Sequence, residues 1–511
     1  METIKRTKTL AFLLIIFLLG IVSKQVNAQI NGYEEDIQGI HVVHVWGTDY
    51  EMGYALGYLE GDKFASIIED IIIPSWGIEV WNQYRGCFTT NFTVPPRADE
   101  MVDGMIGGIG DRPDSVMFSP SLGRNYDDID LHVCHALTDL STVLYGSSSY
   151  SCTSLSAWDA ATASDPELQG APLLARNLDS DYHPLLAEMH AVITMSPDSG
   201  NKVVLFGQPL DLDCSTAMNE HGISVTRNAA YHDYISFYEP AFMPIGYAAL
   251  MGLMEDDFDD SGTNDLKDLL TALTFWNRAP SKNLHVAAPR SLGYLNEPAI
   301  VVEINNDSGY VFRTARNDPV LGPAHMAATN HFRLLYPPNP CSRYDLLSDS
   351  ISADPDMTLN RFWDFLGYCD IPGWHTYLSV LLLPESNKIG IAFCDSIQES
   401  WEKDPVWLTW NQLFPTTEVE PVTISSGITL NSIFPNPSIG TFSISFNIPV
   451  TSTVLFSLYD ISGRLIKQLP SQEYSIGIHH VEFCNIPAGR YLCRMVSNNY
   501  EACKSILVLS H

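Results

Sequence analysis

The stretch that decides the fold begins Ser151-Cys152-Thr153-Ser154-Leu155-Ser156-Ala157-Trp158 and closes on Ala175-Arg176-Asn177-Leu178-Asp179. A cysteine opens a strand-like run. Ser164-Asp165-Pro166, with Gly170 a little further on, supplies turn signals. A second apolar run, Ala171 to Ala175, leads into Arg-Asn-x-Asp. Paired as a hairpin, the two runs carry Arg176 and Asp179 back to the end that holds Cys152. A thiol beside a guanidinium and a carboxylate has the surroundings of an activated nucleophile.

Outward from that stretch, 511 residues at 45% hydrophobic and 11% aromatic suffice for several domains with large cores. Lys5, Arg6 and Lys8, an apolar run Leu10 to Val22 and the small-residue site Val26-Asn27-Ala28 read as a secretory signal over residues 1–28. No later stretch is long and apolar enough to cross a membrane. The formal charge is −32, and residues 1–28 carry four basic and one acidic side chain, which leaves the remainder near −35. Such acidity excludes nucleic acid and anionic membrane surfaces as expected partners. Ten cysteines are dispersed without a Cys-x-x-Cys pair, so a structural zinc site is not expected. If Cys152 is a nucleophile it stays unpaired, and at least one further thiol is free.

Ahead of the hairpin, Gly47-Thr48-Asp49-Tyr50-Glu51-Met52-Gly53 with Gly57 and Gly61 places small residues at helical spacing, a closely packed helix. Residues 64–84 and 129–145 read as helices, and Gly146 to Ser151 as a polar, bendable approach to Cys152. Gly123-Arg124-Asn125-Tyr126-Asp127 repeats Arg-Asn-x-Asp but precedes the cysteine and reads as a helix start. After it, Val192–Met195 pairs with Lys202–Phe206, and Met218-Asn219-Glu220-His221-Gly222 reads as a hairpin turn into a strand that ends at Asn228. The acidic residues Glu255 to Asp265 are read as unlike an EF-hand loop, which needs a central Gly and a terminal Glu. They are expected to cap a helix from Leu266 to Trp276. Thr329-Asn330-His331-Phe332, Ser342-Arg343-Tyr344 and the strand pair His375–Leu381 and Lys388–Phe393 complete the region.

These motifs, in this order from residue 40 to 400, resemble the N-terminal-nucleophile (Ntn) hydrolases, in the branch of isopenicillin-N acyltransferase-like enzymes, bile salt hydrolase and penicillin V acylase. The resemblance rests on Cys152-Thr153-Ser154, Arg176-Asn177-x-Asp179, the Asn219 turn with Asn228, Thr329-Asn330-His331-Phe332 and Ser342-Arg343-Tyr344. It implies an α+β fold, an αββα four-layer sandwich. It also implies self-cleavage between Ser151 and Cys152, so that residues 29–151 form an N-terminal chain and 152–412 the catalytic chain. Cys152 is then both nucleophile and, through its freed α-amine, general base. Asp179 orients that amine, and Arg176 and Arg343 raise the local positive potential. Asn330 and Asn228 stabilise the oxyanion. Asn177, Asn219 and His331 line the substrate or support the site, and Asn219 shapes its turn. No metal and no cofactor is implied. Ser151 departs from the Gly of acyltransferase precursors.

Residues 413–430 read as a Pro/Thr/Ser/Glu-rich linker, and residues 431–511 as short alternating strands, an immunoglobulin-like sandwich. Phe434-Pro435-Asn436-Pro437, Leu458-Tyr459-Asp460, Gly463-Arg464 and Pro487-Ala488-Gly489-Arg490-Tyr491 resemble the C-terminal sorting domain of type IX secretion cargo, found in the Bacteroidetes. That implies the type IX secretion machinery as a partner, and secretion or cell-surface attachment as the destination. The resulting expectation is an exported amidase or acyltransferase that cleaves a linear C–N bond of a small acylated amide through a thioester on Cys152. Two alternatives are a phospholipase-B-like Ntn hydrolase acting on lipid esters, and a non-catalytic exported binding protein. Activity on an amide against a lysophospholipid separates the first two; an uncut chain with Cys152 in a disulfide marks the third.

Overall fold

The computed structural model describes residues 30–114, 116–145, 150–230, 241–277, 281–369, 374–415 and most of 429–509. The expected signal sequence, Gly146–Ser149, the linker residues 416–428, Pro435-Asn436-Pro437 and Gly463 lie outside the described residues. The chain divides into a unit of residues 31–419 and a C-terminal unit from residue 420.

A hairpin, β1 (Gly32–Ile37) and β2 (Ile40–Gly47), opens the first unit. Thr48 and Glu51 form a capping box on α1 (Asp49–Ser66), which satisfies its first free N–H groups. The backbone then winds into a π-turn over Ile67–Ile72 and breaks at Gly77, where φ is +83°. The helix expected over 64–84 is thus interrupted, and α2 (Ile78–Asn91) restarts it. The next helix, α3 (Pro96–Asp111), packs along α1 with backbone nearly touching backbone. Gly53 and Gly57 face the carbonyls of Met101 and Met105, and Gly104 and Gly108 face those of Tyr50 and Tyr54. Asp127 caps α4 (Asp128–His135), so the early Arg-Asn-x-Asp is a helix start. A break at Ala136 separates it from α5 (Leu137–Tyr145), where the spacing predicts one continuous helix.

The expected hairpin forms from β3 (Tyr150–Ala157) and β4 (Leu173–Ser180). Next, β5 (Ala191–Pro197) and β6 (Val203–Gly207) pair antiparallel, and β7 (Thr216–Asn219) turns into β8 (Ser224–Ala229). After α6 (Ile245–Met254) and α7 (Leu266–Phe275) come β9 (Lys282–Ala287), β10 (Ala299–Asn305), β11 (Gly309–Arg313) and β12 (His325–Ala328). Then α8 (Ser342–Ala353) and α9 (Leu359–Tyr368) precede β13 (His375–Leu383), β14 (Lys388–Phe393) and β15 (Val406–Thr409). One nine-stranded sheet runs β1-β2-β5-β6-β7-β8-β9-β10-β11, and one six-stranded sheet runs β12-β3-β4-β13-β14-β15. Neighbours are antiparallel except β2 and β5.

A single core joins Val42, Val192, Phe206 and Val301 of the large sheet to Leu174, Met326 and Leu382 of the small one. Phe362 and Leu366 of α9 belong to it as well. With α1 and α6 packed on the large sheet and α8 and α9 on the small one, the order is helix, sheet, sheet, helix. The sheets face each other because their inward side chains have no other dry surface to cover.

Asp265 and Asp268 cap α7 through a capping box, as the acidic run predicts. Its spacing needs a correction. Counted from Asp257, Gly262 (φ +81°) is the sixth residue and Asp268 the twelfth, so the central glycine is present, while Ser261 stands at the fifth position and Asp268 replaces the terminal Glu. The carboxylates of Asp257, Asp259 and Asp268 converge to within 4.8 Å. Asp259 is ion-paired to Lys267 at 2.5 Å, and Asp268 accepts the backbone N–H groups of Asp259 and Asp265.

A short helix over Trp410–Leu413, with Phe414 buried, continues the first unit past the expected start of the linker. Thr429–Phe434 is already a strand. The C-terminal unit pairs a three-stranded with a larger antiparallel sheet over a core of Phe442, Phe446, Phe456, Leu458, Phe483 and Met495. Among the described residues no helix is long and apolar enough to cross a membrane.

Candidate active site

The small sheet holds the cysteine. In the hairpin register Ser151 lies opposite Asp179, Cys152 opposite Leu178, Thr153 opposite Asn177 and Ser154 opposite Arg176. Because side chains alternate along a strand, Cys152 and Arg176 share the face toward the large sheet while Asn177 takes the other. Cys152 is 1% exposed. Arg176 Nη2 donates to its Sγ at 3.3 Å and to the carbonyl of Arg227 at 2.8 Å. Arg176 Nη1 donates to Thr216 Oγ1. Arg176 is itself 1% exposed, and among the described residues no carboxylate lies within ion-pair distance of it. The sulfur is thus one of the acceptors that satisfy this buried guanidinium.

Two further predicted residues close on the backbone of Cys152. Asn330 Oδ1 accepts the Cys152 N–H at 3.2 Å and the Ser151 hydroxyl at 2.6 Å. Arg343, in the first turn of α8, donates to the Cys152 carbonyl at 2.7 Å, to Thr153 Oγ1 at 2.6 Å and to Asn330 Oδ1 at 2.6 Å. The backbone of Cys152 is therefore held at both its nitrogen and its carbonyl. Asp179, opposite Ser151, accepts from Thr376 Oγ1 at 2.7 Å.

Other predicted residues do different work. Asn228 Nδ2 donates to Ser154 Oγ at 3.1 Å and to the Ala328 carbonyl at 2.8 Å. Both its amide hydrogens are engaged in tying β8 to β3 and β12, so its side chain is no free oxyanion donor. Asn330 Nδ2 gives one hydrogen to the Ala229 carbonyl at 2.7 Å, and it is the oxygen of Asn330, not the nitrogen, that faces Cys152. Asn177 bonds the Leu366 carbonyl of α9 and the Ser379 hydroxyl, on the side away from the thiol. Asn219 Oδ1 accepts the N–H groups of His221 and Ile223, which builds the turn that Gly222 completes at φ +78°.

His331 reaches a second cysteine. Burial raises the Cys341 thiol, but its hydrogen bonds with His331 and Thr329 outweigh that and hold the group at about 6. Its only sequence signal is a place two residues before Arg343. His285, also missed, bridges Ser154 and Ser156 at 3.0 and 2.8 Å, and burial plus Arg313 pull it down to about 3, a neutral tie between the sheets. Nothing in the local sequence marks it, since its partners lie on the other sheet.

Cys152 opens on a cavity of about 410 Å³. Its apolar lining includes Ile67, Ile71, Ile72, Trp76 and Leu137, all of which precede the cysteine in the chain. Its polar lining includes Arg176, Ser215, Arg227 and Lys282.

No curated protein matches the chain. Among solved structures it is similar to a Caenorhabditis elegans N-acylethanolamine-hydrolyzing acid amidase ortholog, at 15% identity over 46% of this chain and 93% of that one, TM-score 0.33. It is similar also to a mutant conjugated bile acid hydrolase from Clostridium perfringens, at 15% identity over 51% of this chain and 93% of that one, TM-score 0.33. Residues 432–509 match the secretion system C-terminal sorting domain, and this domain marks the chain for type IX export to the medium or the cell surface.

Proposed function

We propose that the chain is an exported cysteine hydrolase or acyltransferase of the Ntn type, which matures by cutting itself before Cys152 and then cleaves linear amide bonds. The observation that carries this reading is the set of contacts around one residue: Arg176 on the thiol, Asn330 on the nitrogen and Arg343 on the carbonyl of Cys152. The helix–sheet–sheet–helix order supports it.

In maturation the thiol adds to the Ser151 carbonyl carbon, the C–N bond to Cys152 breaks, and its nitrogen takes the proton. Water then hydrolyses the thioester, leaving a Ser151 carboxylate and a free Cys152 amine. That amine, with an ordinary pKa near 8, is the base for the second reaction. Asn330 Oδ1 would accept one of its hydrogens and fix its lone pair, while Asp179 steadies the strand end beside it. A substrate amide is attacked by the thiol, the amine half leaves with the proton, and the acyl thioester passes to water or to an acceptor amine. Arg176 is the donor for the oxyanion, contributing roughly 3 kcal/mol in comparable sites.

The test is intact mass with N-terminal sequencing of the secreted protein and of Cys152→Ala. A new chain starting at Cys152, absent from the variant, is expected. The two pieces should co-elute under native conditions, because β2 of the first piece pairs with β5 of the second. An uncut wild-type chain removes the amine base and with it this mechanism.

A further inference from the structure

Lys282 is a buried cation that the chemistry above does not use. Its side chain is 1% exposed and it lines the same cavity as Cys152. Its ammonium has three hydrogens, yet its contacts are long: 3.4 Å to the Thr138 carbonyl and 3.5 Å to Asp139 Oδ1. Both exceed the range of a strong charged hydrogen bond. Asp139 turns its other oxygen to the Ile245 N–H at 2.8 Å, and Oδ1 has no hydrogen bond. The pair is therefore close enough to offset charge and too loose to satisfy it.

The neighbouring groups do not compete. Arg227 is held by both oxygens of Asp213. Asp211, pushed up to about 7 by burial and by Asp213, is a carboxyl rather than a carboxylate below that pH. Burial also pulls the Lys282 ammonium below its usual range, against Asp139, so an incoming anion would steady its charge. The same cavity is lined by Ile67, Ile71 and Trp76.

We propose that Lys282 determines specificity, by taking a carboxylate that the substrate carries besides its scissile amide, while the apolar lining takes the hydrocarbon part. The substrate class is then an amide with an apolar body and one carboxylate, on either the acid or the amine half. This rests on the amidase reading for turnover but not for binding.

Three probes share one chain length: N-octanoylglycine, the mono-propylamide of octanedioic acid, and neutral N-propyloctanamide. Wild type is expected to favour at least one carboxylated probe over the neutral one by about 30-fold in kcat/KM, mainly through KM. Lys282→Met combined with Asp139→Asn, which leaves no charge unpaired, should collapse that ratio to within about threefold, and Lys282→Arg should restore most of it. Calorimetric binding of the same probes to Cys152→Ala reads the preference without catalysis. If no probe turns over but the preference in binding depends on Lys282, the amidase reading fails and this one stands. Absence of preference in both, or a preference that survives the double substitution, overturns it.

Discussion

Arg176 and Cys152 meet at 3.3 Å inside the protein, and what each does depends on the other. Arg176→Met removes the charge that faces the thiol and leaves the Arg227 carbonyl and Thr216 hydroxyl short of a donor. The expected outcome is a fall of about 100-fold or more in self-cleavage rate and in kcat, read by gel densitometry and acyl-enzyme burst kinetics. Unchanged rates would show that the guanidinium serves packing alone. Cys341 gives a second test at the same scale. Its folded thiol ionises near 6 against 9.0 for a free one, so between those values the native state binds fewer protons than the unfolded chain. The stability it contributes is full above about pH 9 and is lost as pH falls through 6. Urea unfolding of the wild type should therefore strengthen between pH 5.5 and 8.5, by on the order of 2 kcal/mol more than in Cys341→Ser. Equal pH profiles for the two would sink the assignment.

At the scale of elements, the closest packing is between α1 and α3, where glycines on each helix meet the backbone of the other. A Cβ at Gly57 would run into the Met105 carbonyl, so neither helix has a side chain that could yield. Gly57→Val should cost about 3 kcal/mol or prevent folding, measured by chemical unfolding and by the yield of soluble protein. A loss below about 0.5 kcal/mol would mean that the helices can separate without penalty. The elements differ in how much of them the residues announce. Thr48-x-x-Glu51 and Asp265-x-x-Asp268 state their helix starts locally, and Asn219 to Gly222 states its turn, because each satisfies its own backbone within a few residues. The breaks at Gly77 and Ala136 were hidden: the apolar spacing runs on through both, and helix packing decides where the chain turns.

For the whole molecule, export and the proposed catalysis belong to different parts of the chain. Residues 432–509 form the sorting domain and residues 31–419 a separate compact unit. Deleting residues 432–511 should leave the protein inside the cell envelope with self-cleavage intact; immunoblots of medium, surface and envelope fractions check this, and undiminished export of the truncated chain would contradict it. The sequence by itself determined the hairpin that returns Arg176 to the end that holds Cys152, the acidic balance of charge and the strand-rich C-terminal module. These depend on alternation, turn chemistry and net charge, all local or additive properties. Only the tertiary structure decided that the amide hydrogens of Asn228 are engaged, that the Asn330 oxygen faces the Cys152 nitrogen, and that His331 serves Cys341. It alone brought Lys282 and the π-turn of the N-terminal segment to the cavity of Cys152. The direction in which a buried amide or ammonium points is set by whichever donors and acceptors reach it from distant strands. No short stretch of sequence carries that information.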